Sequence, residues 1–84
     1  MYSIEFTKTA EKELYKLEKN IQIRIINTLE RLRIKPTTCD TKKLIEISGY
    51  RLRVGDYRII FDINEEKLII LIIEIGHRKK IYKF

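Results

Sequence analysis

The stretch Tyr50-Arg51-Leu52-Arg53-Val54-Gly55-Asp56-Tyr57-Arg58-Ile59-Ile60-Phe61 decides the fold. Gly55-Asp56 is a two-residue hairpin sequence, and the residues on either side alternate between apolar and polar. A turn of that length fixes the register: Val54 pairs with Tyr57, and Arg53 therefore with Arg58. Side chains alternate across a strand, so Tyr50, Leu52 and Val54 share one face and Arg51 and Arg53 the other. On the returning strand Tyr57, Ile59, Phe61 and Ile63 join the apolar face, and Arg58, Ile60 and Asp62 the opposite one. Like charges directly opposed across a strand pair destabilise a sheet. Arginines gathered in one such patch either splay into water or await an anion. Phosphate suits them well, because the planar guanidinium donates two parallel hydrogen bonds.

Upstream of the hairpin the apolar period becomes helical. Ser3 to Phe6 alternates and suits a short strand. Thr7 or Thr9 can cap a first helix, with Glu11 and Glu13 in its first turn and a stripe of Ala10, Leu14 and Leu17. Asn20 is the expected N-cap of a second helix. Its apolar face is Ile21, Ile25, Leu29 and Leu32, widened by Ile26, and Pro36 stops it. The gap between the two helices is short, which makes them antiparallel neighbours. Thr37 to Lys43 reads as a loop, and Ser48-Gly49 as a turn. Glu13, Glu18 and Glu30 read as solvated charge.

Downstream a third strand of the set runs from Lys67 or Leu68 to Ile75. Its facing depends on loop parity. An odd loop, Asn64-Glu65-Glu66, puts Ile69, Leu71, Ile73 and Ile75 in the core. Leu68, Ile70, Ile72 and Glu74 then lie on the arginine face, and an even loop exchanges the two sets. With the odd loop, Ile60, Leu68, Ile70 and Ile72 form an apolar strip beside the arginines. That strip is either strand propensity on a partly exposed face or a docking groove for a partner. The expectation is an α+β fold in a single domain, residues 1–84. An N-terminal strand and an antiparallel helix hairpin pack on one face of a mostly antiparallel four-stranded sheet.

Composition bounds the function. The 84 residues carry 18 Lys and Arg against 12 Asp and Glu, a net charge of +6, which favours a polyanionic partner such as nucleic acid. A chain of this size holds one core and no deep substrate cavity. The one cysteine, Cys39, cannot form an intrachain disulfide and points to a reducing compartment. Met1 to Phe6 is too short and mixed for a secretory signal, and the longest apolar run, Leu68 to Ile73, is too short to span a bilayer. One His and one Cys make no common zinc site, so neither metal nor cofactor is expected. The segment Gly76-His77-Arg78-Lys79-Lys80-Ile81-Tyr82-Lys83-Phe84 is either a solubilising tail or a functional one anchored beside the patch. His77 begins on the core side of its strand and is either structural or an acid/base group.

The Tyr50–Phe61 stretch, followed by an apolar strand and Gly76-His77-Arg78-Lys79-Lys80-Ile81-Tyr82, resembles the RelE branch of the RelE/ParE toxin superfamily. The resemblance extends over nearly the whole chain. It implies a RelE-like, microbial ribonuclease-type fold and the toxin component of a type II toxin–antitoxin system. RelE-like toxins enter the ribosomal A site and cleave mRNA there through attack of the 2′-OH on the adjacent phosphate, without a metal. Matched by motif position, Arg51, Arg53, Arg58, Arg78 and Tyr82 are the implied catalytic residues, with His77 as a possible acid/base. Arg51, Arg53, Lys79, Lys80 and Lys83 are the implied RNA contacts. Some relatives carry lysine at the positions of Arg51 and Arg53. An arginine does not give up its proton, so these two fit binding and charge stabilisation rather than base catalysis. The implied partners are a cognate antitoxin, the ribosome and mRNA, with no membrane. The toxin alone is expected to be a cytoplasmic monomer that enters a larger complex with its antitoxin. Ile60, Leu68, Ile70 and Ile72 are the candidate antitoxin contacts. A ParE-like DNA gyrase inhibitor and an inactive RNA- or antitoxin-binding relative are the alternatives.

Overall fold

The computed structural model describes residues 1–36, 41–44 and 49–77. Its elements run β1 (Ser3–Phe6), α1 (Lys8–Tyr15), α2 (Lys19–Leu32), β2 (Thr41–Lys43), β3 (Tyr50–Val54), β4 (Tyr57–Asn64) and β5 (Ile69–His77). They form a two-layer α+β fold around one sheet of order β1-β5-β4-β3-β2. All neighbouring strands are antiparallel except β1 and β5, which are parallel. The sheet has five strands rather than four, because Thr41–Lys43 is an edge strand on β3 and not the expected loop. Its polar Thr-Lys-Lys sequence carries no apolar alternation, and lysine on an edge strand discourages pairing with another chain.

The hairpin register is the one the turn sequence dictates: Val54 pairs with Tyr57, Arg53 with Arg58 and Arg51 with Ile60. Gly55 takes φ +59° while Asp56 is not left-handed, the pattern of a type II′ turn. Gly49 precedes β3 at φ +135°, and a Cβ there would stand 3.1 Å from the Phe61 carbonyl oxygen. Only glycine lets the chain enter β3 so close to β4.

The core lies between the helices and one sheet face. Ala10 and Leu14 of α1 and Ile25, Leu29 and Leu32 of α2 meet Leu52, Val54, Ile59, Phe61, Ile70, Ile72 and Ile75. Each fully buried Leu, Ile or Phe contributes about 1.5–3 kcal/mol of transfer free energy. Ile26, expected on the apolar face of α2, is exposed. Asn20 does not cap α2. Glu18 holds the N-cap position without a side-chain bond, and the Asn20 carboxamide oxygen accepts instead from the Ile21 amide. Thr7 does cap α1, its hydroxyl oxygen accepting from the Ala10 amide at 3.1 Å.

The facing of β5 departs from the expectation in one half only. Asn64 pairs with Ile69, so Glu65 to Leu68 form a four-residue loop, which is even. Leu68 sits in it at φ +54°, and the Asn64 carboxamide accepts from the Lys67 amide at 2.9 Å. Parity therefore turns Ile70 and Ile72 into the core and Ile69 and Leu71 outward. A β-bulge then restores the expected phase. Ile60 pairs with Glu74 but Phe61 with Ile72, leaving Ile73 as the extra residue. Beyond it Ile75 faces the core and Glu74 the arginine side. Helix α1 docks at this bulge. The Thr7 amide donates to the Ile72 carbonyl, and its hydroxyl to the Ile73 carbonyl at 2.9 Å. The Ile75 amide donates to a carboxylate oxygen of Glu13 at 3.0 Å, so Glu13 is a half-buried cap on the edge of β5 and not a solvated charge.

Candidate nucleic-acid interface

Because the helices cover one sheet face, every residue of opposite phase lies on the other. Cross-strand pairing arranges these residues in rows. One row runs Lys42, Arg51, Ile60 and Glu74 across β2, β3, β4 and β5. The next runs Arg53, Arg58 and Gly76 across β3, β4 and β5. The open face thus gathers Lys42, Arg51, Arg53 and Arg58 at its hairpin end. Lys42 was not legible as part of this patch, because a polar tripeptide gives no strand signal. Among the described residues, Lys42, Arg51 and Arg53 stand in no ion pair.

The far end of the same sheet is acidic. Glu5, Asp62, Glu65 and Glu66 outnumber Lys67 around a shallow cavity of about 770 Å³ that Ile69 and Leu71 also line. The sheet therefore presents a gradient of charge from the β4–β5 loop to the β3–β4 turn. A phosphate chain is repelled at the first end and drawn to the second.

Other expected site residues fall elsewhere. Ile70 and Ile72 are fully buried beneath the helices, so neither belongs to an open-face docking strip, for the parity reason given above. Leu68 is exposed in the β4–β5 loop, at the acidic end. Ile60 has the phase of the arginine face and is buried, at 1% exposure, so it is no exposed docking contact. His77 pairs with Tyr57, ring centroids 5.6 Å apart and edge to face, which puts it on the phase opposite to Arg58. Arg78, Lys79, Lys80, Tyr82 and Lys83 lie outside the described residues, as does Cys39. What the structure brings together is the arginine triad with Lys42.

The described arrangement offers fixed positive charge and donors of hydrogen bonds along neighbouring strands. This is chemistry for holding and polarising a phosphodiester rather than for enclosing a small molecule. No helix is long and apolar enough to cross a membrane among the described residues.

Comparison with known proteins shows the family and the fold. A family model described as the ParE toxin of the type II toxin–antitoxin system parDE matches residues 4–82. The Mycobacterium tuberculosis protein Toxin RelG is 29% identical over 84 residues, 98% of this chain and 97% of that one. A chain of the archaeal RelE–RelB complex from Pyrococcus horikoshii superposes with a TM-score of 0.83 at 28% identity, covering 94% of this chain and 97% of that chain. A chain of the RelB–RelE antitoxin–toxin complex from Methanococcus jannaschii is 32% identical, with a TM-score of 0.75 and coverage of 93% and 94%.

Proposed function

The chain belongs to the ParE toxin family of type II toxin–antitoxin systems, within the RelE/ParE superfamily, and on that premise we propose that it halts translation by cutting mRNA in the ribosomal A site. The observation that carries this reading is the meeting of Arg51, Arg53 and Arg58 with Lys42 on the sheet face opposite α1 and α2. In the reaction the 2′-oxygen of one nucleotide attacks the adjacent phosphorus. An O2′–P bond forms and the P–O5′ bond breaks, giving a 2′,3′-cyclic phosphate and a 5′-hydroxyl. The 2′-proton is lost and the 5′-oxygen gains one, so the exchange balances without a metal.

Negative charge rises on the phosphoryl oxygens as the phosphorus becomes five-coordinate. Guanidinium groups already fixed beside it stabilise that charge without reorganising. Arg58 takes this role, with Arg51 and Arg53 holding the flanking backbone. Arg78 and Tyr82 join on the sequence resemblance alone, the first as a further guanidinium and the second as a stacking or proton-handling group. Lys79, Lys80 and Lys83 are further RNA contacts on the same ground. Arginines stay protonated and supply no general base. His77, paired with Tyr57 on the other phase, is not positioned by its strand to serve the arginine face. The chain thus supplies charge and grip, and the ribosome supplies alignment of the 2′-OH, which is worth much of a barrier when it is well made. The partner in the cell is a cognate antitoxin, consistent with relatives crystallised as complexes with RelB, and the working compartment is the cytoplasm.

The test is cleavage of an end-labelled mRNA by the purified toxin, free and on ribosomes with a vacant A site. Cuts confined to the ribosome-bound message support the reading. Loss of gyrase supercoiling activity without any such cut would replace it with the gyrase-inhibitor alternative, to which the match with a ParE family model also lends weight.

A further inference from the structure

The basic patch does not stop at the sheet. A cleft of about 440 Å³ lies between α2 and the β3–β4 turn, lined by Arg24, Asn27, Thr28 and Arg31 of the helix and by Arg53, Val54 and Gly55. Three guanidinium-bearing residues and two neutral polar ones line it, and no carboxylate does. Arg24 and Arg31 are two turns apart on one side of α2, with Asn27 and Thr28 between them. The Thr28 hydroxyl donates to the Arg24 carbonyl at 2.9 Å and accepts from Arg31 Nη2 at 3.4 Å, which ties Arg31 to the cleft side of the helix.

The turn glycine makes room for Arg24. A Cβ on Gly55 would lie 3.0 Å from Arg24 Nη1 and 3.3 Å from its Cζ, so the guanidinium rests directly over the turn. Asp56 lies with Arg24 around a smaller cavity of about 140 Å³ and makes no ion pair with it. Farther along the same helix, Arg33 does find Glu30, at 2.8 Å. Among the described residues, Arg24, Arg31 and Arg53 stand in no ion pair. All three residues are exposed, and a phosphate group in the cleft supplies the counter-charge that its lining lacks. Arg53 belongs both to this cleft and to the row it forms with Arg58, so the two basic surfaces are continuous.

We propose that the cleft between α2 and the β3–β4 turn is a second phosphate-binding site, which takes the sugar-phosphate backbone of the RNA strand where it runs on from the open sheet face around the hairpin. The proposal rests on the reading of that face as an RNA surface. It gives the toxin a grip on the strand outside the nucleotides that react, and it makes Arg24 and Arg31 binding residues rather than solvated helix charges.

The experiment measures binding of fluorescent, uncleavable 2′-O-methyl RNA to the full chain across a salt series. The probes are a trinucleotide and a strand of roughly 12 nucleotides, a length within the usual footprint of a single-strand-binding domain. The double variant Arg24→Gln/Arg31→Gln should lower the slope of log K against log salt by about 1.4 on the longer strand, at about 0.7 per lost phosphate contact. It should leave trinucleotide binding unchanged. Both positions are exposed, and an unchanged thermal melt confirms that the fold is intact. An unchanged slope on the long strand, alongside a reduced one for Arg51→Gln/Arg58→Gln, overturns the second site and leaves the sheet-face reading standing. Unchanged binding in both variants overturns the two together. A photocrosslinking amino acid at Asn27 gives a readout independent of affinity: a crosslink to the long strand but not to the trinucleotide is expected, and no crosslink to either contradicts the proposal.

Discussion

Arg53 stands directly opposite Arg58 across the β3–β4 hairpin, so neighbouring strands place like charges face to face. Like charges directly opposed weaken the sheet that carries them. The register leaves no escape, because the Gly55-Asp56 turn fixes it and slippage of β3 by one residue would turn Leu52 and Val54 out of the core.

Arg53→Thr should therefore stabilise the chain by a few tenths to about 1 kcal/mol, since threonine also suits a strand. The same change should weaken RNA binding. Urea unfolding and a salt-dependent binding series check the two halves. A variant that is less stable than the parent would show that the opposed arginines are held by compensating contacts.

Ile72 and Leu68 were equivalent candidates on sequence, and the structure separates them. Ile72 is fully buried and Leu68 is 45% exposed. Ile72→Ala should cost about 2–5 kcal/mol, the range for truncating a buried aliphatic side chain. Leu68→Ala should cost little, and only this second variant can report cleanly on antitoxin affinity. Equal destabilisation of the two would place the β4–β5 loop one residue out of register.

How much was legible in the sequence follows from these particulars. The two-residue turn fixed the strands on either side, so the arginine face could be read without coordinates. The β1 span and the stripes Ala10–Leu14 and Ile25–Leu29–Leu32 carried ordinary local signals, whereas the α1 cap stayed open between Thr7 and Thr9, and Ile26 and the Asn20 cap were misplaced. Loop parity was not legible, since Asn64 belongs to β4 and Leu68 to the turn, although both could be counted the other way. Nor was the bulge at Ile73, because a strand of six consecutive apolar residues from Leu68 to Ile73 shows no alternation to break. Lys42 was missed for the opposite reason: an edge strand of polar residues is defined by its neighbour β3, not by its own sequence. Glu13 resembled any surface carboxylate until β5 brought the Ile75 amide to it.

Glu13 offers a sharp test of how α1 is docked. Glu13→Ala leaves the Ile75 amide without its acceptor and should cost about 1–3 kcal/mol. Glu13→Gln keeps an oxygen at the same reach and should recover most of that loss. Chemical denaturation of the two variants decides it, and equal losses would mean that charge rather than the hydrogen bond matters at this position.

Leu68 holds a left-handed backbone at φ +54°, which costs a residue with a Cβ about 1–2 kcal/mol. Leu68→Gly should regain part of that, raising stability by up to about 1 kcal/mol after glycine's own entropic cost. A fall in melting temperature would contradict the four-residue loop.

The central claim is that the arginine face acts on mRNA. Its most direct test is primer extension on a cellular message after brief induction of the parent chain and of Arg53→Gln/Arg58→Gln, with antitoxin binding measured for both proteins. New 5′ ends within translated codons are expected for the parent, none for the variant, and undiminished capture of the antitoxin by the variant. Undiminished cleavage by a variant lacking both guanidinium groups would contradict it.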